Sequence, residues 1–207
     1  LATRSNTEYL NPDDQAGHSP LERARLNVAA LRALKATMDE GRDATPEEAR
    51  AISAYSGWGG AANAFAENQT GGWAEVSREL KELLSEDEFA EQRATVLTAF
   101  YTPRPVVELI WETLRDAGIC DGGRAEILGP GCGTGNFMRC VPEGMDVHVT
   151  GVEIDPVSGG LARVLCPDHT IVAADIEKCE IPDGSFDAAI GNVPYSDAIK
   201  IDGVPLH

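Results

Sequence analysis

The chain has 207 residues, 43% hydrophobic and 25% charged, which suffices for one sizeable core and a smaller appendage. It holds no apolar run of about 18 residues, and its opening LATRSNTEYLNPDDQ lacks the basic-then-apolar layout of a secretory signal, so neither membrane insertion nor export is indicated and a cytoplasmic location is expected. Seventeen Lys and Arg against 34 Asp and Glu leave a net charge of −17, a balance that repels a phosphate backbone.

The charge is uneven. Residues 1–50 hold 7 basic and 9 acidic side chains, whereas residues 121–207 hold 5 and 14, so any basic surface for nucleic acid is expected to come mainly from outside this stretch. A first residue of Leu and an ending of IDGVPLH, with no helix or strand expected there, suggest an excerpt of a longer protein. The five cysteines, Cys120, Cys132, Cys140, Cys166 and Cys179, form no CxxC and have no histidines at zinc-finger spacing; reduced thiols and no metal are expected.

Residues 1–18 are polar and aperiodic and read as an irregular arm. A helical region, 19–95, follows. Ser19-Pro20 opens an amphipathic helix with apolar positions at Leu21, Leu26, Ala29, Ala30, Leu34 and Met38, closed near Gly41. Thr45-Pro46-Glu47-Glu48 starts a second helix that runs to about Tyr55. The glycine-rich break SGWGG then surrounds Trp58, read as a core anchor. Residues 74–84 are helical by period, and Ser85 with Glu88 makes a capping box for a helix to about Ala99. Pro103 and Pro105 interrupt at FYTPRP, and Pro105 opens a helix from Val106 to about Ala117, closed at Gly118.

From Glu126 the pattern becomes α/β. AEIL precedes GPGCGTGNF, VHVTGVEI precedes DPVSGGLARVL, HTIVAAD precedes IEKCEIPDGS, and FDAAI precedes GNVPY, an alternation that predicts a parallel sheet with right-handed crossovers and four strands. The first strand enters Gly131-Cys132-Gly133-Thr134-Gly135, where glycines permit a tight turn and close approach of a ligand, and Asn136 opens a helix. The second strand ends in Glu153, at the place where an acidic side chain meets ribose hydroxyls in nucleoside-binding folds, and the third in Asp175, suited to accept from an adenine amino group. Carboxylates after adjacent parallel strands share one edge of the sheet. His148 and His169, in or beside strands, are expected to be structural.

Five stretches together, AFYTP, ILGPGCGTGNF, GVEIDP, AADI and GNVPY, resemble the S-adenosylmethionine-dependent amino-methyltransferases of the adenine-N6 DNA type, over about residues 95–196 and in the permutation that puts FYTP before the glycine loop. The resemblance is nearest to the methyltransferase regions of large helicase-methyltransferase proteins of mobile elements, and it implies a Rossmann-like methyltransferase core over 96–207, incomplete at its C-terminus. It also implies S-adenosylmethionine contacts from Tyr101, Thr102, Gly129, Pro130, Gly131, Gly133, Gly135, Asn136, Phe137, Glu153, Ile154, Asp175 and Ile176. Asn192 and the Val193 carbonyl would hold the amino hydrogens of the target adenine, Pro194 would fix the turn, and Tyr195 would stack on the base once it leaves the duplex. DNA is the implied partner, with no membrane and no metal.

Two positions depart from the family pattern. Gly129 stands where relatives commonly carry Glu, and Val193 replaces the usual first proline, keeping a carbonyl acceptor but less rigidity. Two rivals stay open: a protein-glutamine N5 methyltransferase, whose amide substrate needs the same paired acceptors, and a non-catalytic module of a larger helicase-type protein.

Overall fold

The computed structural model describes residues 17–98, 101–193, 200–201 and 204–205. Helix α1 spans Pro20–Glu40; Ser19 and Glu22 form a reciprocal capping box at its start, and Gly41, at φ 60°, closes it in the left-handed conformation. Helix α2, Pro46–Ser53, repeats the device with Thr45 and Glu48. Both starts agree with the sequence reading, but the buried face of α1 does not. Its core side is Ala24, Asn27, Val28, Ala30, Leu31, Leu34 and Thr37, while Leu26 and Ala29 are half-buried and Met38 is 58% exposed. An alanine-rich helix offers several apolar stripes, and tertiary packing selects one.

A 3-10 turn over Ala62–Phe65 leads to α3, Gly71–Leu83, and α4, Glu86–Thr98. The Ser85 hydroxyl accepts from the Glu88 N–H, and the Glu88 carboxylate accepts from the Ser85 N–H at 2.8 Å, completing the expected box on α4. Helix α5 covers Arg104–Asp116, and Gly118 follows at φ 79°.

Four parallel strands then build the sheet: β1 Ala125–Pro130, β2 Val147–Glu153, β3 Thr170–Ala173 and β4 Ala188–Ala189, in the order β3-β2-β1-β4. Helix α6, Asn136–Arg139, is only four residues, whereas α7, Pro156–Leu165, is a full crossover helix. The fold is a Rossmann-like α/β sheet whose first strand lies inside and whose order reverses between β1 and β4, the switch point at which such sheets bind ligands. Contrary to expectation, the C-terminal stretch carries strand: β5 Lys200–Ile201 pairs antiparallel with β6 Val204–Pro205.

One hydrophobic cluster joins the helices to the sheet, running from Leu31, Ile52 and Trp58 through Leu80 and Trp111 to Ile127, Val149 and Leu161. Helix α1 meets α7 at a glycine: a Cβ on Gly160 would lie 3.2 Å from Leu34 Cδ2. Trp58 is fully buried as a core anchor, edge-on to Tyr55 (6.3 Å between centroids) and Phe65 (5.0 Å). No described helix is long and apolar enough to cross a membrane.

Candidate functional site

After β1 the chain turns through Gly131, Gly133 and Gly135 at φ 59°, 55° and 86°, a left-handed series that residues with a Cβ rarely adopt. Gly135 is required twice over, because a Cβ there would also lie 2.6 Å from Cys166 Sγ. The turn presents backbone N–H groups toward β2: Cys132 N–H donates to the Val152 carbonyl (3.1 Å) and Gly133 N–H to Glu153 Oε2 (2.7 Å).

Glu153 therefore touches the glycine loop directly. Its other oxygen, Oε1, accepts from the Asp155 N–H at 2.9 Å, and the residue is buried. Burial raises its carboxyl above the ordinary range, against the opposing pull of the Asp155 and Gly133 N–H groups. An ionised carboxylate has about four acceptor sites, so the backbone N–H groups of Gly133, Asp155 and Ile154 still leave it capacity for a hydroxyl donor from a ligand. Asp175 lies two residues beyond β3, not in it as expected, and caps the 3-10 turn Ile176–Lys178 by accepting from Glu177 N–H at 3.1 Å; Lys178 Nζ stands 3.5 Å away. Beside these carboxylates, Ile154 is 69% and Ile176 37% exposed, two apolar side chains left uncovered at neighbouring strand ends.

Tyr101 joins the helical region to the loop. A Cβ on Gly57 would meet its ring at 2.6 Å and one on Gly133 at 3.3 Å, so the ring fills the space between the GWGG turn and the glycine loop. Asn27 holds that turn from α1, donating to the Gly57 carbonyl (2.7 Å) and accepting from Ser56 N–H (2.9 Å). The Tyr101 hydroxyl bonds Ser158; burial, with Asp155 and Glu153 nearby, pushes the phenol well above its usual value, so it stays neutral. Around the loop, Thr102 Oγ1, Thr134 Oγ1 and Asn136 Oδ1 are buried without a hydrogen-bond partner. Buried polar atoms are normally paired, and these three suit the polar end of a ligand seated on the loop.

Strand β4 brings the next residues to the same edge. Ile190 N–H donates to the Leu128 carbonyl (2.9 Å), and Gly191 passes so close to β1 that a Cβ would lie 2.6 Å from the Pro130 carbonyl oxygen. Asn192 follows half-buried, and Val193 is 51% exposed. Pro194 and Tyr195, like Ala99 and Phe100, lie outside the described residues. Gly129 is buried and pairs with Gly151 of β2; a Cβ there would sit 3.4 Å from Val149 Cγ1, ordinary contact, so the strand does not demand glycine at this position. The Phe137 carbonyl accepts from Trp111 Nε1 at 2.8 Å, with its ring packed against the core.

The histidines bond locally: His148 Nε2 to Thr170 Oγ1 at 2.9 Å, and His169 Nδ1 accepting from Val149 N–H at 3.2 Å. All five cysteines are free, and burial pushes the Cys132 and Cys166 thiols up to about 12, far from thiolate character. Among the described residues no group of three or more His, Cys, Asp or Glu could hold a metal ion.

Sequence reasoning missed Asp155, Ser158 and Gln92. Asp155 before Pro156 carries a readable signal, an N-cap with proline at the first helical position, and its carboxylate indeed accepts from Val157 N–H (3.2 Å), Ser158 N–H (3.0 Å) and Ser158 Oγ (2.6 Å). Gln92 has none; a polar residue within a helix normally faces water.

The chain is 34% identical over 101 residues to "Defense against restriction protein B" of Escherichia phage P1, a match that covers 48% of this chain and 4% of that protein. Among solved structures, it resembles a putative class I S-adenosylmethionine-dependent methyltransferase from Listeria monocytogenes (17% identity, 84% of this chain and 59% of that one, TM-score 0.41). It also resembles a type I restriction-modification system methyltransferase subunit from Streptococcus thermophilus (19% identity, 80% and 44%, TM-score 0.40). The glycine loop, Glu153, Asp175 and Asn192 all fall within residues 127–199, the segment that matches the family model described as "Methyltransferase domain".

Proposed function

We propose that this chain carries the cofactor site and amine-holding loop of an S-adenosylmethionine-dependent methyltransferase acting on adenine N6 in DNA. The observation that carries the reading is the convergence at one sheet edge of the left-handed glycine loop, Glu153 bonded to it, Asp175 after β3 and Asn192 after β4. The match of residues 127–199 to the family model described as "Methyltransferase domain" supports the methyl-transfer part of this reading.

The residues present fit the cofactor. Glu153 has acceptor capacity for a ribose hydroxyl, Asp175 can accept from an exocyclic amine, and the exposed Ile154 and Ile176 offer apolar cover for a purine. The orphaned Thr102, Thr134 and Asn136 oxygens suit the amino-acid end. Bound there, S-adenosylmethionine would supply an electrophilic methyl group on a sulfonium centre.

An adenine amine is a poor nucleophile because its lone pair is delocalised into the ring. The Asn192 side-chain oxygen and the Val193 carbonyl accept its two hydrogens, drawing the nitrogen toward tetrahedral geometry and freeing the lone pair. By the family resemblance Tyr195 would stack on the extruded base, and the proton lost from the methylated amine would pass to water without a general base from this chain. Gly191 permits the close approach of the chain to the Pro130 carbonyl at the end of β1, one residue before the glycine loop begins.

The net charge of −17 favours a second reading, methylation of a glutamine amide in a protein, which asks for the same two acceptors without a polyanionic partner. The experiment is transfer of labelled methyl groups to duplex DNA and to protein, with Asn192→Ala as control. DNA labelling that falls by a hundredfold or more in the variant, with cofactor binding retained, supports the proposal; labelling of protein alone supports the second reading.

A further inference from the structure

Gln92 is fully buried on α4, outside the sheet, yet its amide is bonded on both sides. Oε1 accepts from the Tyr55 hydroxyl (2.9 Å) and from Trp58 Nε1 (3.0 Å), and Nε2 donates to both Asp155 oxygens (3.0 Å each). Indole N–H can only donate and an ionised carboxylate can only accept, so the amide has one permitted orientation. Asp155 in turn caps α7 and takes the Ser158 hydroxyl, while its own N–H donates to Glu153 Oε1, whose partner oxygen holds the glycine loop. A continuous chain of hydrogen bonds thus runs from the GWGG turn, through Gln92 and Asp155, to Glu153 and Gly133.

We infer that Gln92 is a positioning residue for the cofactor site: it fixes Asp155, and through it sets the Glu153 carboxylate and the Gly133 amide where a nucleoside's ribose would meet them. The helical region is on this account part of the binding machinery, because Tyr55 and Trp58 lock the glutamine and Tyr101 fills the space between their turn and the loop. A buried polar network of this kind specifies one geometry when every member is satisfied. The inference rests on the cofactor reading proposed above.

The test is calorimetric titration of the full chain with S-adenosylmethionine at pH 8 and pH 5.5, comparing wild type with Gln92→Glu. The variant keeps the acceptor toward Tyr55 and Trp58 but sets a carboxylate against Asp155; the groups facing it are Asp155, Tyr55 and, one bond further, Glu153 and Tyr101. At pH 8 its Kd should exceed the wild-type value about tenfold or more, the loss of a charged hydrogen bond. At pH 5.5 the ratio should shrink toward one, because two carboxylates sharing a site retain a proton and remake the bond. Val76→Ala, a buried change on α3 outside this hydrogen-bond chain, should lower Tm while leaving Kd within twofold. A Gln92→Glu ratio near one at both pH values, or a loss that ignores pH, overturns the inference. Should that variant fail to fold, Gln92→Met, which buries no charge, decides: binding within twofold of wild type overturns it. Absence of saturable binding by folded wild type instead overturns the cofactor reading and this inference with it.

Discussion

Gly135 and Gly144 share a left-handed φ of 86° and differ in what surrounds them. An added Cβ at Gly144 meets nothing within 4 Å; at Gly135 it would lie 2.6 Å from Cys166 Sγ and 3.6 Å from Ala162 Cβ. Gly144→Ala should therefore cost only left-handed strain, about 1–2 kcal/mol. Gly135→Ala should add overpacking of about 1–3 kcal/mol, a total of roughly 2–5 kcal/mol. Both variants gain the same small term from restricting the unfolded chain, so their difference isolates the packing at the loop. Urea denaturation with a common m-value measures it, and for a chain of this size each kcal/mol moves Tm by about 2–4 °C. In the double variant Gly135→Ala/Cys166→Ala the clash with sulfur is gone, so the cycle should show favourable coupling of about 1 kcal/mol or more. Equal costs for the two single variants, within about 0.5 kcal/mol, would refute the claim that the loop is packed against α7 at Gly135.

Ile154→Ala should leave folding stability within about 0.5 kcal/mol, since the side chain is 69% exposed, yet weaken S-adenosylmethionine binding several-fold; calorimetry and urea melts on the same samples separate the two, and unchanged affinity would remove Ile154 from the site. Burial, with the neighbouring His148, lowers the affinity of His169 for protons, so the folded state prefers it neutral. The unfolded chain then binds more protons below about pH 6.5, and stability should be full above that value and fall as pH drops toward the depressed folded value. His169→Asn, which can keep an acceptor toward the Val149 N–H, should lose less stability than wild type between pH 7.5 and 5.5; parallel losses would contradict the assignment.

What the sequence determined by itself was local. Caps at Ser19, Thr45 and Ser85 fixed where helices start, because a side-chain oxygen opposite the third helical N–H is a short-range event that needs no tertiary partner. The glycine series after β1 was legible for the same reason: left-handed backbone excludes most other residues. The two acidic strand ends followed from alternation and spacing, although β3 stops at Ala173 and leaves Asp175 to cap a turn. Only the tertiary structure decided which stripe of α1 is buried, since Leu26, Ala29 and Met38 were equally apolar candidates and the choice depends on the partner surfaces of α2, α3 and α7. It alone joined Gln92 to Asp155, 63 residues away, and placed the Tyr101 ring between Gly57 and Gly133. Hydrogen bonds and contacts between residues so far apart leave no periodicity in the chain; they exist only once burial has removed water as the competing partner.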